Sequence, residues 1–191
     1  MASIPSSQDL PSEPILLELV DADGRTIGTA EKLSAHQEPG QLHRAFSVFL
    51  FNGEGHLLLQ QRALSKYHSP GVWSNTCCGH PYPGEDPKAA ATRRVGEELG
   101  LSEFTLTPAG TVTYHHPDEI SGLVEKEFNH LFVGIVDQPV DLNPDEVNDT
   151  RYVTRQELKE LQQEKPVSAW FDTVLEAALP EIRRIASGGG W

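Results

Sequence analysis

Apolar positions along the chain repeat with two periods, and these periods predict the elements. "ILLELVDADGRTIGTAEK" carries two short apolar stretches around Asp23 and Gly24, which predicts two strands joined by a tight turn. "LSAHQEPGQLHR" is polar and reads as a loop. "AFSVFLFNGEGHLLLQQR" gives two apolar runs about "NGEG", a hairpin pattern. "KYHSPGVWSNTCCGHPYPGE" is broken by Pro and Gly and is expected to be largely loop. The clearest helix follows. Asp86 stands at its N-cap, Pro87 at its first position and Gly100 just past its end. Ala91, Val95 and Leu99 form an apolar stripe at four-residue spacing, and Arg94 and Glu98 share a neighbouring face.

Strand-like segments come next: "FTLTPAGTVTYHH", "GLVEKEFNHLFVGIV" and "DTRYVT". "TRQELKELQQEK" predicts a helix opened by a capping box, Thr154 with Glu157. Pro166 ends it and "SAWFDTVLEAAL" starts another. Mixed strands with a few helices, without a repeat or a linker, predict one α+β sandwich domain over 13–186. Residues 1–12, rich in Ser and Pro, are expected to be disordered, and 187–191 to be a flexible tail.

Composition narrows the function classes. The 191 residues suffice for one well-packed domain, and 38% hydrophobic with 23% charged residues is the balance of a soluble globular protein. A formal net charge of -13 argues against nucleic acid and anionic membranes as partners. It also means that an anionic substrate needs a local basic patch. The N-terminus lacks the basic and apolar regions of a secretory signal, and no apolar run reaches the length of a membrane span. The only two cysteines are adjacent, so no disulfide framework is expected. Free thiols point to the reducing cytoplasm.

The chemistry concentrates at "SNTCCGHPYPGEDPKAAATRRVGEELG". Five residues separate Gly79 from Glu85, and seven more lead to Arg93, Arg94, Val95, Gly96, Glu97, Glu98, Leu99, Gly100 and Leu101. This spacing resembles the Nudix box, a loop-helix-loop that holds divalent metal against a diphosphate. Arg94 stands where Nudix hydrolases carry a glutamate. One metal-binding carboxylate is thereby lost and a guanidinium that can grip phosphate is gained. The box therefore implies a diphosphate substrate and speaks against its hydrolysis.

If the chain is extended from Cys77 to His80, Cys78 shares a face with His80, and Cys77 points away into packing. Glu125 and Glu127 share a strand face by the same alternation. Together with His36, His43 and His80 they would suit a divalent ion in mixed nitrogen and oxygen geometry. The histidines tilt the choice from Mg2+ toward Mn2+ or Zn2+.

"EKLSAH", "LHRAFSVFLF", "QQRALSKYHSPGVWSNTCCGHP" and "GLVEKEFNHLF" together resemble the type I isopentenyl-diphosphate delta-isomerase family, from about residue 15 to about residue 170. The resemblance implies a Nudix-type α/β/α sandwich with a mixed sheet. It implies a catalytic pair, Cys78 and Glu127, with Tyr114 near Glu127. It implies a metal ion on His36, His43, His80, Glu125 and Glu127, and a Mg2+ ion bridging Glu98 and the diphosphate. Lys32, Arg62, Lys66 and Arg94 match the diphosphate-binding residues, and Trp170 the aromatic ring over the isoprene end. Glu127 with Tyr114 is then the proton donor toward dimethylallyl diphosphate and Cys78 the acceptor. The expected partner is a small diphosphate substrate, the expected state a monomer, and the N-terminal segment a lid. The rival readings are a Nudix hydrolase of a nucleotide or prenyl diphosphate, which needs no thiol, and a catalytically inert Nudix binding module, which needs none of these side chains.

Overall fold

The computed structural model describes residues 14–66, 69–119 and 121–191. The expected disorder of 1–12, and the lid, lie outside the described residues. Strand β3 (His43–Phe51) is the centre of the sheet. β8 (Val124–Ile135) runs parallel to it over its whole length, from His43 opposite Glu127 to Phe51 opposite Ile135. β6 (Cys77–Gly79) pairs antiparallel with β3, with Cys78 opposite Ser47. β7 (Thr107–Pro117) covers the far edge of β8 and sets Tyr114 opposite Glu127. β1 (Leu16–Val20) and β2 (Thr26–Glu31) form the predicted hairpin, attached to β3 at Leu19 and His43. β4 (Leu57–Arg62) pairs with β5 (Trp73–Ser74) and β9 (Val147–Val153).

Period-two alternation sorts β3 between two cores. Phe46, Val48 and Leu50 face helix α2 (Pro87–Leu99), whose Ala91, Val95 and Leu99 stripe is fully buried against them. Phe49 and Phe51 face α3 (Arg155–Glu164) and α4 (Phe171–Ile185). The result is the expected α/β/α layering with a mixed sheet. The α2 caps are those predicted. The Asp86 side chain accepts from the Ala89 N–H at 3.0 Å, and Gly100 ends the helix at φ 63°. A Cβ on Gly100 would lie 2.6 Å from the Asp141 carbonyl, so only glycine fits there. Thr154 and Glu157 form the capping box of α3.

Three expectations are corrected. The "LSAHQEPGQLHR" loop opens within a short helix, α1 (Lys32–His36), because Ala35 and His36 are drawn into the core. The "NGEG" hairpin is paired only at Phe51 and Leu57. Beyond that point the strands separate, because both runs are buried on both faces and each takes other strands as neighbours. The tail at 187–191 is docked rather than flexible. The Trp191 indole packs edge-on to Phe51 at 5.4 Å and its N–H donates to the Gly55 carbonyl at 2.7 Å. The Gly189 carbonyl accepts from the Arg155 N–H. Covering Phe51 with the Trp191 ring is favourable burial that offsets the ordering of the glycines before it. α4 also continues through Pro180 to Ile185, five residues beyond the proline.

Candidate active site

Five predicted metal ligands come together from four elements. α1 brings His36, the start of β3 brings His43, the residue after β6 is His80, and β8 supplies Glu125 and Glu127. One ligand atom from each lies within 4.8 Å of all the others. His36 Nδ1 stands 2.7 Å from the Lys32 carbonyl, and His43 Nδ1 2.8 Å from the Gln41 carbonyl. A carbonyl only accepts, so each Nδ1 carries a hydrogen, and each ring turns the Nε2 that a metal ion would use inward. His43 Nε2 then faces His80 Nε2 at 3.3 Å and Glu127 Oε2 at 3.3 Å. His36 Nε2 faces Glu125 Oε2 at 3.3 Å. Lone pairs aimed at one another inside a protein repel, and a cation among them removes the conflict. The donor set therefore fits a divalent metal ion.

The local field favours positive charge too. Burial would lower the pKa of His36, but the hydrogen bond and charge of Glu125, with the Lys32 carbonyl and Glu127, together outweigh this and raise it. Burial would raise that of Glu127, but His43 and His80 hold its carboxyl well below the usual range. Burial takes His80 down to about 4 despite Glu127 at 2.8 Å.

The adjacent cysteines face opposite cores. Cys78 lines a cavity of about 450 Å³ together with His80, Glu127 and Trp170. The Trp170 indole N–H donates to its sulfur at 3.3 Å, and the thiol donates to Asn75 Oδ1 at 2.9 Å. Burial pushes the Cys78 thiol up to about 11, although these hydrogen bonds pull the other way. Cys77 lies wholly buried in the α2 core, as alternation requires. It is more than packing, because its thiol donates to Glu98 Oε2 at 2.8 Å. Gly79 follows so closely over Phe46 that a Cβ would lie 2.8 Å from the ring.

Tyr114 donates to Glu127 Oε1 at 2.6 Å, in direct cross-strand register. The strand of Cys78 and the strand of Glu127 both pair with β3, and both side chains reach the one cavity.

Lys32, Arg62, Lys66, Arg94 and Glu98 line this cavity as well. The cations feel one another: burial, then Lys66 and Arg62, lower the pKa of Lys32. Arg94 donates to Glu98 at 3.0 Å, Glu97 at 2.7 Å and Glu146 at 3.2 Å. Lys66 also pairs with Glu146. Sequence reasoning missed Glu146, which offers these two cations a carboxylate that an incoming anion must replace. It sits in "DLNPDEVNDT" with no spacing that marks it. Asn75, Gln60 and Asn129 were missed too. Gln60 donates to Glu98 at 3.3 Å, and Asn129 donates to the Tyr114 oxygen at 2.9 Å. Asn129 alone had a usable signal, since it continues the alternation of Glu125 and Glu127.

The NUDIX domain family matches residues 41–171. A protein of Streptomyces avermitilis named isopentenyl-diphosphate Delta-isomerase is 64% identical over 187 residues, covering 97% of this chain and 95% of its own. One of the same name from Burkholderia multivorans is 47% identical, covering 89% and 97%. Among solved structures, a Deinococcus radiodurans protein superposes with a TM-score of 0.67 at 20% identity, covering 88% of this chain and 98% of its own; it speaks for the fold alone. By the NUDIX match and this near full-length identity, the chain belongs to the isopentenyl-diphosphate Delta-isomerase family of NUDIX-domain proteins.

Proposed function

We propose that the protein interconverts isopentenyl and dimethylallyl diphosphate, with Glu127 and Tyr114 giving a proton and Cys78 taking one. The observation that carries this reading is a single cavity lined by Cys78, by Glu127 with its Tyr114 hydrogen bond, and by the cations Lys32, Arg62, Lys66 and Arg94. Moving the double bond by one carbon requires a proton on the terminal methylene and loss of another from the carbon nearer the diphosphate. An acid and a base on separate strands can serve both carbons of one bound substrate.

Lys32, Arg62, Lys66 and Arg94 grip the diphosphate, for which the Glu146 contacts of Lys66 and Arg94 are exchanged. Gathering four cations overcomes the repulsion of a chain with net charge -13. The Trp170 ring faces the tertiary cation-like state, a contact worth about 2 kcal/mol when desolvated. The thiol carries its proton while Glu127 is ionised. This is the distribution left after a turnover toward dimethylallyl diphosphate, and the pair regains its starting state by exchange with solvent. In the reverse direction the roles swap.

His36, His43, His80, Glu125 and Glu127 would hold a divalent ion, whose charge would tune the proton affinity of Glu127. Three nitrogens suit Mn2+ or Zn2+ better than Mg2+. Glu98, whose carboxylate Cys77, Gln60 and Arg94 fix, would be the residue to hold a Mg2+ ion that neutralises the diphosphate. The two free thiols support a cytoplasmic enzyme, and the net charge of -13 supports a monomer. No helix among the described residues is long and apolar enough to cross a membrane.

Hydrolysis is disfavoured because Arg94 replaces a carboxylate and binds the remaining ones. Isopentenyl diphosphate incubated in deuterated water should give dimethylallyl diphosphate carrying deuterium, with negligible free phosphate. Stoichiometric phosphate without an allylic product would make the protein a hydrolase.

A further inference from the structure

Glu125, Glu127 and Asn129 alternate along β8, and all three side chains turn into the protein, with Asn129 only 1% exposed. The Tyr114 hydroxyl has one hydrogen, and it goes to Glu127 Oε1 at 2.6 Å. Whatever else binds the Tyr114 oxygen must therefore donate. Asn129 does so, with its Nδ2 at 2.9 Å. This leaves Asn129 Oδ1 without a hydrogen-bond partner. It is the one buried side-chain nitrogen or oxygen in that condition among the described residues.

An asparagine kept for structure would satisfy both ends of its amide, and a leucine of similar shape would bury at less cost. The amide is here spent on a single bond, and that bond ends on a phenol which itself ends on Glu127. We propose that Asn129 is a positioning residue for the acid. Its N–H occupies the Tyr114 lone pair and holds the hydroxyl in the one rotation that points its hydrogen at Glu127. Donation to the phenol oxygen also strengthens the phenol as a donor, because the two hydrogen bonds polarise each other. The inference rests on the reading of Tyr114 and Glu127 as the proton-donating pair. Asn129 touches neither substrate nor metal ligands in this role and acts only through Tyr114.

The test is a double-mutant cycle between Asn129→Leu and Tyr114→Phe, read by kcat, KM and thermal midpoint. Asn129→Leu should lower kcat about tenfold, the loss of one hydrogen bond to a polarised group, and change KM less than about twofold. Its thermal midpoint should hold or rise, since the unpaired carbonyl is gone. In the Tyr114→Phe background the same change should cost no further kcat, because the atom it acts on is absent. Should Leu fail to pack, Asn129→Ala in both backgrounds serves the same cycle. A kcat left intact by Asn129→Leu, with Tyr114→Phe impaired, overturns the positioning role and leaves the acid assignment standing. Equal losses in both backgrounds, with a lowered midpoint, make Asn129 merely structural. Full activity of Tyr114→Phe would overturn the acid assignment itself, and the inference with it.

Discussion

Cys77 and Cys78 are chemically identical neighbours with opposite surroundings. Alternation along a strand sends one thiol to Glu98 and the other to Asn75 and Trp170. Cys78→Ala should lower kcat by at least about a thousandfold, the scale of losing a group that transfers a proton, with the fold retained. Cys77→Ala removes a buried sulfur and one hydrogen bond, so it should cost about 1–2 kcal/mol of stability and spare most of kcat. Paired steady-state assays and thermal melts check both; the reverse pattern would move the catalytic role to Cys77. The facing of these thiols was legible in four letters of sequence, because strand geometry is local. The Cys77 bond to Glu98 was not, since it depends on how a helix is laid across the sheet. Glu146 was hidden for a related reason: it meets Lys66 and Arg94 only through the folding of distant loops.

Helix α2 shows the same division at the scale of an element. One face, Ala91, Val95 and Leu99, belongs to the core; another, Arg94 and Glu98, belongs to the cavity. Leu99→Ala should destabilise the protein by about 2–5 kcal/mol while the folded fraction keeps its KM. Arg94→Ala should lower the thermal midpoint less than Leu99→Ala does, because two of its carboxylate partners, Glu97 and Glu146, are partly exposed and only Glu98 is buried, and raise KM about tenfold or more through a lost diphosphate contact. Denaturation curves and steady-state kinetics on the two variants separate the faces; parallel losses would show that they are not independent. Caps and stripes of this kind read directly from sequence, as the boundaries of α2 and the capping box of α3 do. The turn of α1, the parting of β3 from β4 and the docking of Trp191 did not. Each is decided by what distant residues bury, which no local pattern records.

At the scale of the whole molecule, the cluster of His36, His43, His80, Glu125 and Glu127 joins segments that the chain keeps far apart. A ligand that binds only the folded state stabilises it, by about 2.7 kcal/mol at a hundredfold excess over Kd. Stripping the ion with a chelator should therefore lower the thermal midpoint and abolish turnover, and Mn2+ or Zn2+ should restore both. Metal analysis of dialysed, active protein should find the ion retained; active protein without any divalent metal would refute the site. The parallel pairing of β3 with β8 also carries a consequence for synthesis. His80 and Glu127 are 47 positions apart in the chain. At a translation rate of about 5–20 residues per second, His80 precedes Glu127 by roughly 2–9 seconds, and His36 and His43 by about twice as long. During that interval the three imidazoles stand without Glu125 and Glu127. Only when β8 inserts beside β3 do two carboxylates complete the set. The five donors are thus complete only once the sheet has closed, and a chain cut short before β8 should neither hold the ion as the whole protein does nor turn over.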